Sequence, residues 1–133
     1  MTTSGGYHHG DLRAALIKAA VAIVDQEGIG GLTLRKAARR TGVSHAAPAH
    51  HFKDMKGLLA AAAEEGFRKM AAMMAVAQQR VADDDPLLRF KALGKAYIDF
   101  AMTRVAHFKV MFRLAVADKA AYPGLHAAGE HTF

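Results

Sequence analysis

The sequence predicts an all-α protein, a three-helix head followed by a helical body. Three observations predict it. Alanine, the best helix former, fills 29 of 133 positions, and proline occurs only three times. Apolar residues recur at helical spacing along most of the chain. No segment alternates apolar and polar residues for long enough to build a sheet. The length fits one domain or two very small ones, and such a chain buries roughly two-thirds of its unfolded surface. With 52% apolar and 23% charged residues, intrinsic disorder is excluded.

Residues 1–9, MTTSGGYHH, are polar and glycine-rich and read as a flexible arm. A helix pattern then opens at Gly10, with Leu12, Leu16, Ala19, Ala20, Ile23 and Val24 on one stripe. Asp11 suits its N-terminal dipole and Gly28 its stop. After Gly28-Ile29-Gly30-Gly31, Thr33 is the expected N-cap of a short helix ended by Gly42. Its inward face is Leu34, Ala37 and Ala38; Arg35, Lys36, Arg39 and Arg40 face outward. Val43 is expected to plug the corner and Ser44 to cap the next helix, His45 to about His51, with Pro48 near its start. Asp54 caps a long helix from Met55 to about Ala82. Asp83-Asp84-Asp85-Pro86 reads as a solvated boundary, with Asp85 as cap and Pro86 in first position of a helix to about Arg104. His107 to Ala117 forms a further segment, Tyr122-Pro123-Gly124 breaks the pattern, and residues 125–133 begin another helix. Six or seven helices are expected in all.

Composition removes several function classes. There is no cysteine, so disulfides, thiolate metal sites and cysteine nucleophiles are excluded, and a reducing cytoplasm fits. No run of 18 apolar residues exists to span a membrane, and the first ten residues hold no signal-peptide core. Phosphate-binding glycine loops, HExxH and GxSxG are absent, which argues against an enzyme, and no catalytic residue or cofactor is expected. His50 and His51 are adjacent, so they point to different sides of a helix and cannot share a metal ion. Net charge is +6. The first 56 residues carry eight Lys and Arg against four Asp and Glu, and five of the eight histidines. Positive density is therefore N-terminal, where a polyanion site is expected.

Residues 33–52, TLRKAARRTGVSHAAPAHHF, describe a helix-turn-helix: a short helix, a glycine turn and a second capped helix. Small Ala37 and Ala38 let the helices cross closely, and Gly42 can take the left-handed backbone that ends the first one. Residues from about 9 to 70 further resemble the N-terminal domain of the TetR family of bacterial transcriptional regulators. The resemblance lies in Gln26-Glu27-Gly28, Leu32-Thr33-Leu34-Arg35, Ala38, Gly42-Val43-Ser44, His51-Phe52 and Asp54-Met55-Lys56-Gly57-Leu58-Leu59. It implies a DNA-binding domain over 10–56, an incomplete helical regulatory domain over 57–133, and a homodimer in the full-length protein. It also implies a repressor released from a double-stranded DNA operator by a small apolar effector. The family often has glycine, leucine and tyrosine where this chain has Ala46, Pro48 and Ala49, so one backbone contact is expected to be missing. The family's late dimer helices are absent too, and the chain reads as truncated at its C-terminus.

On this reading His45, Ala46 and Ala47 face base edges. Thr33, Ser44, His50 and Lys56 position the DNA backbone; Arg35 is a further DNA-binding residue, and His51 a packing or backbone-contact residue beside Phe52. Lys56 is disfavoured by the dipole of the helix it opens, which an external phosphate would relieve. Phe67, Met70, Met74, Phe90, Tyr97, Phe100, Phe108, Met111 and Phe112 are core residues or the lining of an apolar effector pocket. The alternative is a helical small-molecule-binding or interaction module that has lost DNA binding.

Overall fold

The computed structural model describes residues 9–82, 84–114 and 122–133. Among these residues the chain forms α1 (His9–Glu27), a 3-10 turn (Ile29–Gly31), α2 (Leu34–Thr41), α3 (Ala47–Phe52), α4 (Met55–Gln79), α5 (Pro86–Thr103), α6 (Val105–Leu114) and α7 (Pro123–Thr132), with no strand. The all-α expectation holds. Arm residues 1–8, Asp83 of the acidic run, and residues 115–121, which include the expected helix end at Ala117, lie outside the described residues. The chain divides into two compact units, Met1–Leu58 and Leu59–Phe133.

In the first unit α1 packs on α2 and α3. It buries Leu16, Ala19, Ala20, Ile23 and Val24 of the stripe its sequence presents, together with Ile17, while Leu12 is half-buried. From α2 come Ala37 and Ala38, both fully buried. Without larger side chains there, the two helices sit close together. Polar contacts fasten the rim of the same pair: Lys36 Nζ donates to Glu27 Oε2 at 2.8 Å, and Arg40 Nη1 to Gln26 Oε1 at 3.1 Å. Phe52, at the end of α3, is buried with the Arg13 guanidinium 5.5 Å from its ring centre.

In the second unit the buried core comprises Ala60–Ala63, Phe67 and Met70 of α4, Ala96 and Phe100 of α5, Val110 and Met111 of α6, and Leu125 of α7. At Gly66 a Cβ would lie 2.6 Å from Met111 Sδ and 2.7 Å from its Cγ, so a larger residue would have to displace this buried methionine. Thr132 Oγ1 donates to Phe67 O at 3.2 Å and ties α7 to α4. Phe67, Tyr97, Phe108, Phe112 and Phe133 form a run of aromatic contacts with ring centres 4.6–6.4 Å apart.

Four helix boundaries differ from the sequence reading. The third helix starts at Ala47 rather than His45, and Ser44 does not cap it. Pro48 has no N–H to give the Ser44 carbonyl, so that carbonyl accepts from Ala47 N instead (3.1 Å) and closes a turn. The helix begins where the missing donor is one of its free first-turn groups. α4 ends at Gln79, before Ala82, in a turn closed by Val81 N to Gln78 O. α6 starts at Val105, two residues early, because the Arg104 carbonyl accepts from Phe108 N at 2.9 Å. Tyr122-Pro123-Gly124 opens α7 instead of breaking a helix: Pro123 takes the first position, where it needs no donor, and Tyr122 O accepts from His126 N.

Candidate nucleic-acid interface

The corner between α2 and α3 is built by local chemistry. Thr33, in extended conformation, accepts from Lys36 N through Oγ1 at 3.0 Å and caps α2. Gly42 ends α2 with φ of 73°, a left-handed conformation that a Cβ would penalise. Its N–H and that of Val43 both reach the Ala38 carbonyl, which gives the helix a Schellman-type finish. Val43 is half-buried in the corner. The chain then turns through Ser44, His45 and Ala46, all exposed, and enters α3.

A tight turn leads from α3 to α4. Asp54 N donates back to Phe52 O at 2.6 Å, and Lys53 between them has φ of 64° and ψ of −54°. That is a γ-turn of the strained, positive-φ kind. Asp54 then caps α4 as expected, Oδ1 accepting from Gly57 N at 2.8 Å.

Thr33, Arg35, Ser44, His45, Ala46, His50 and Lys56 are exposed, and Ala47 and His51 are half-buried. Thr33 and Lys56 stand in the opening turns of α2 and α4. His51 stacks at a tilt on Phe52, ring centres 6.1 Å apart. The four cations of α2 are not equivalent. Lys36 and Arg40 are turned to α1, while Arg35 Nε donates to Nδ1 of His45 at 3.0 Å. Spacing in the sequence does not single out this last pair, because the bond joins residues ten apart across the glycine corner.

The nine aromatic and methionine positions of the expected pocket separate into three groups. Phe67, Met70, Phe100 and Met111 are buried core. Met74, Phe90 and Tyr97 line a cleft of about 570 Å³ between α4, α5 and α7, together with Leu93, Thr132 and Phe133. Phe108 and Phe112 stack on each other beside it, Phe108 touching Tyr97. A second cleft of about 600 Å³ runs between α4 and α5 past Met73, Val76 and Ala96. His107 is a buried polar residue that no pattern in the sequence marks. It is 6% exposed, and its Nε2, 3.7 Å from Glu65 Oε1, has no hydrogen-bond partner among the described residues. Burial first, then the Lys69 and Arg104 charges, lower its pKa below 6.5, against the pull of Glu65.

A short capped helix, a left-handed glycine corner and a second helix, all set on a supporting α1, define a helix-turn-helix domain. Residues 16–62 match the family model for bacterial regulatory proteins, tetR family. The matched residues, those of the first unit and the start of the second, place this N-terminal domain in that family. The chain is 31% identical over 97 residues to the HTH-type transcriptional regulator BetI of Serratia proteamaculans (strain 568), covering 73% of this chain and 49% of the relative. It is 38% identical over 88 residues to BetI of Burkholderia ambifaria (strain MC40-6), covering 65% and 44%. The chain thus spans about half the length of the curated relatives it matches. A solved structure of a protein of unknown function from Rhodococcus sp. RHA1 is similar with a TM-score of 0.81 and 38% identity, over 96% of this chain and 64% of that one. The TetR family transcriptional regulator PfmR from Thermus thermophilus shares the fold, with a TM-score of 0.68 at 16% identity, over 88% and 63%.

Proposed function

We propose that the protein is a sequence-specific, DNA-binding transcriptional regulator, a repressor released when a small apolar effector binds its helical body. One observation carries this reading: the Gly42 corner presents exposed Ser44, His45 and Ala46, with His45 bonded to Arg35 in the first turn of α2, within the unit that matches the tetR family. In such a domain the second helix of the motif and the residues leading into it face the major groove. Thr33 and Lys56 stand at helix starts, where phosphates are held. Two heads reading successive half-sites must stand about 34–36 Å apart, which calls for a two-fold dimer. The cleft bordered by Met74, Phe90 and Tyr97 has the size and apolar lining of a small-molecule site and is the candidate effector pocket. A regulator of this kind acts on DNA in the cytoplasm. No helix among the described residues is long and apolar enough to cross a membrane.

The test is a binding titration of the 133-residue chain on a fragment library of its own genome at several salt concentrations. A selected site, with affinity falling steeply as salt rises, supports the proposal. Lys56→Ala should weaken specific and nonspecific binding alike and lower the salt slope by about one. Absence of binding even at low salt would refute the DNA-binding reading and leave a helical ligand-binding or interaction module.

A further inference from the structure

The contact between Arg35 and His45 fixes more than a side-chain position. A guanidinium only donates, so Nδ1 of His45 must be the accepting, unprotonated nitrogen in the 3.0 Å bond from Arg35 Nε. The ring proton of the neutral imidazole is thereby placed on Nε2. Arg35 keeps its two terminal nitrogens for other acceptors, since its contact to His45 uses only Nε. Both residues are exposed, Arg35 in the first turn of α2 and His45 just past the glycine corner. The pair therefore presents donors only: one imidazole N–H and the fork of a guanidinium.

We propose that Arg35 is a positioning residue that locks His45 as an Nε2–H donor, and that the two side chains together read a guanine in the major groove. The inference rests on the DNA-binding reading above. Base chemistry selects guanine. In the major groove guanine offers two acceptors, O6 and N7, and no donor. Adenine sets an N6 amino donor beside N7, thymine offers one acceptor beside a methyl, and cytosine offers an amino donor. A surface made only of donors leaves no group unpaired on guanine and opposes a like group on adenine or cytosine. Neither alanine at 46 or 47 can supply such polar discrimination. The hydroxyl of Ser44 both donates and accepts, so a donor-only reading at this corner falls on His45 and its arginine.

Two measurements test it. In free protein, nitrogen NMR of the His45 imidazole should show Nδ1 unprotonated and Nε2 protonated. Arg35→Ala should shift the ring to a mixture of tautomers. An unchanged tautomer in that variant would overturn the positioning role. On DNA, affinities are measured for all four bases at each position of the site the wild type selects. One position per half-site should prefer guanine by roughly five- to 150-fold. His45→Ala and Arg35→Ala should each flatten that preference while changing nonspecific affinity far less. His45→Gln should restore most of it, because an amide oxygen accepts from Arg35 while its nitrogen still donates. If the wild type selects a site but His45→Ala loses affinity equally on every base variant, the pair binds phosphate and the inference is wrong while DNA binding stands. A wild type that selects no site overturns both.

Discussion

Replacing Gly57 by alanine sets two opposing effects against each other at the corner from α3 to α4. By helix propensity alone, alanine inside a helix stabilises by about 1 kcal/mol over glycine. The structure reverses the sign. A Cβ on residue 57 would fall on the carbonyl oxygen of Phe52, with the Phe52 carbonyl carbon at 3.1 Å and Asp54 Oδ1 at 3.4 Å. That carbonyl cannot simply tilt away. It accepts from Asp54 N at 2.6 Å across the strained turn at Lys53, and its own side chain is buried. Relief requires the start of α4 to move out. That loses the Asp54 cap, about 1 kcal/mol, and part of the burial of Phe52, whose full value is about 1.5–3 kcal/mol. Overpacking of this kind costs about 1–3 kcal/mol, so the net expectation is a loss of about 1–3 kcal/mol after the propensity gain. For a unit this small, that lowers Tm by about 4–8 °C for each kcal/mol. Thermal unfolding followed by circular dichroism reads the shift directly. A Tm equal to or above that of the wild type would show that the corner is not held by this contact.

Gly94→Ala is the matched control: a Cβ there meets nothing within 4 Å on exposed α5, so urea unfolding should show a gain of about 1 kcal/mol. Lys53→Gly should also stabilise, by about 1 kcal/mol in the same assay, because it relieves a positive φ in a residue with a Cβ. Asp85→Ala removes the acceptor of Leu87 N (2.8 Å) and should cost about 0.5–2 kcal/mol in chemical denaturation. His107 gives stability a pH dependence of defined sign. The unfolded chain takes up its proton near pH 6.5, whereas the folded chain does so only at lower pH. Its contribution is therefore complete above 6.5 and falls as pH drops from there toward the lowered value. Denaturation of wild type and His107→Leu across that window should show a smaller acid loss in the variant; parallel curves would refute it.

The elements that announce themselves in sequence do so through local chemistry. Thr33, Asp54 and Asp85 cap helices whose starts follow from the residue types alone, and the α1 stripe follows from its period. Boundaries set by a carbonyl's choice of donor are less legible. Ser44 has the right side chain for a cap, but Pro48 removes the N–H that an earlier helix start would use, and the start moves to Ala47. The proposed site shows the same division. Thr33 and Lys56 stand out by their places at helix starts. The Arg35–His45 bond depends on how Gly42 folds one helix back past the other, so the tertiary turn determines it and the residue pattern does not. The apolar residues of the body form one undivided set in the sequence. Which of them are core and which border a cleft depends on how α4, α5 and α7 come together, a property of several helices rather than of any one sequence.

The pair of alanines under α2 has a consequence for how such a head can change over generations. Ala37 and Ala38 touch no solvent, yet they set how far α2 stands off α1. A single added methyl at either would push the whole helix outward, carrying Arg35 and the corner with it. Substitutions that carry no polar chemistry and never meet an outside partner are then able to re-aim the exposed side chains as a group. A genetic screen for altered binding preference should return variants at these two buried positions, and compensating reductions in size on the facing stripe of α1.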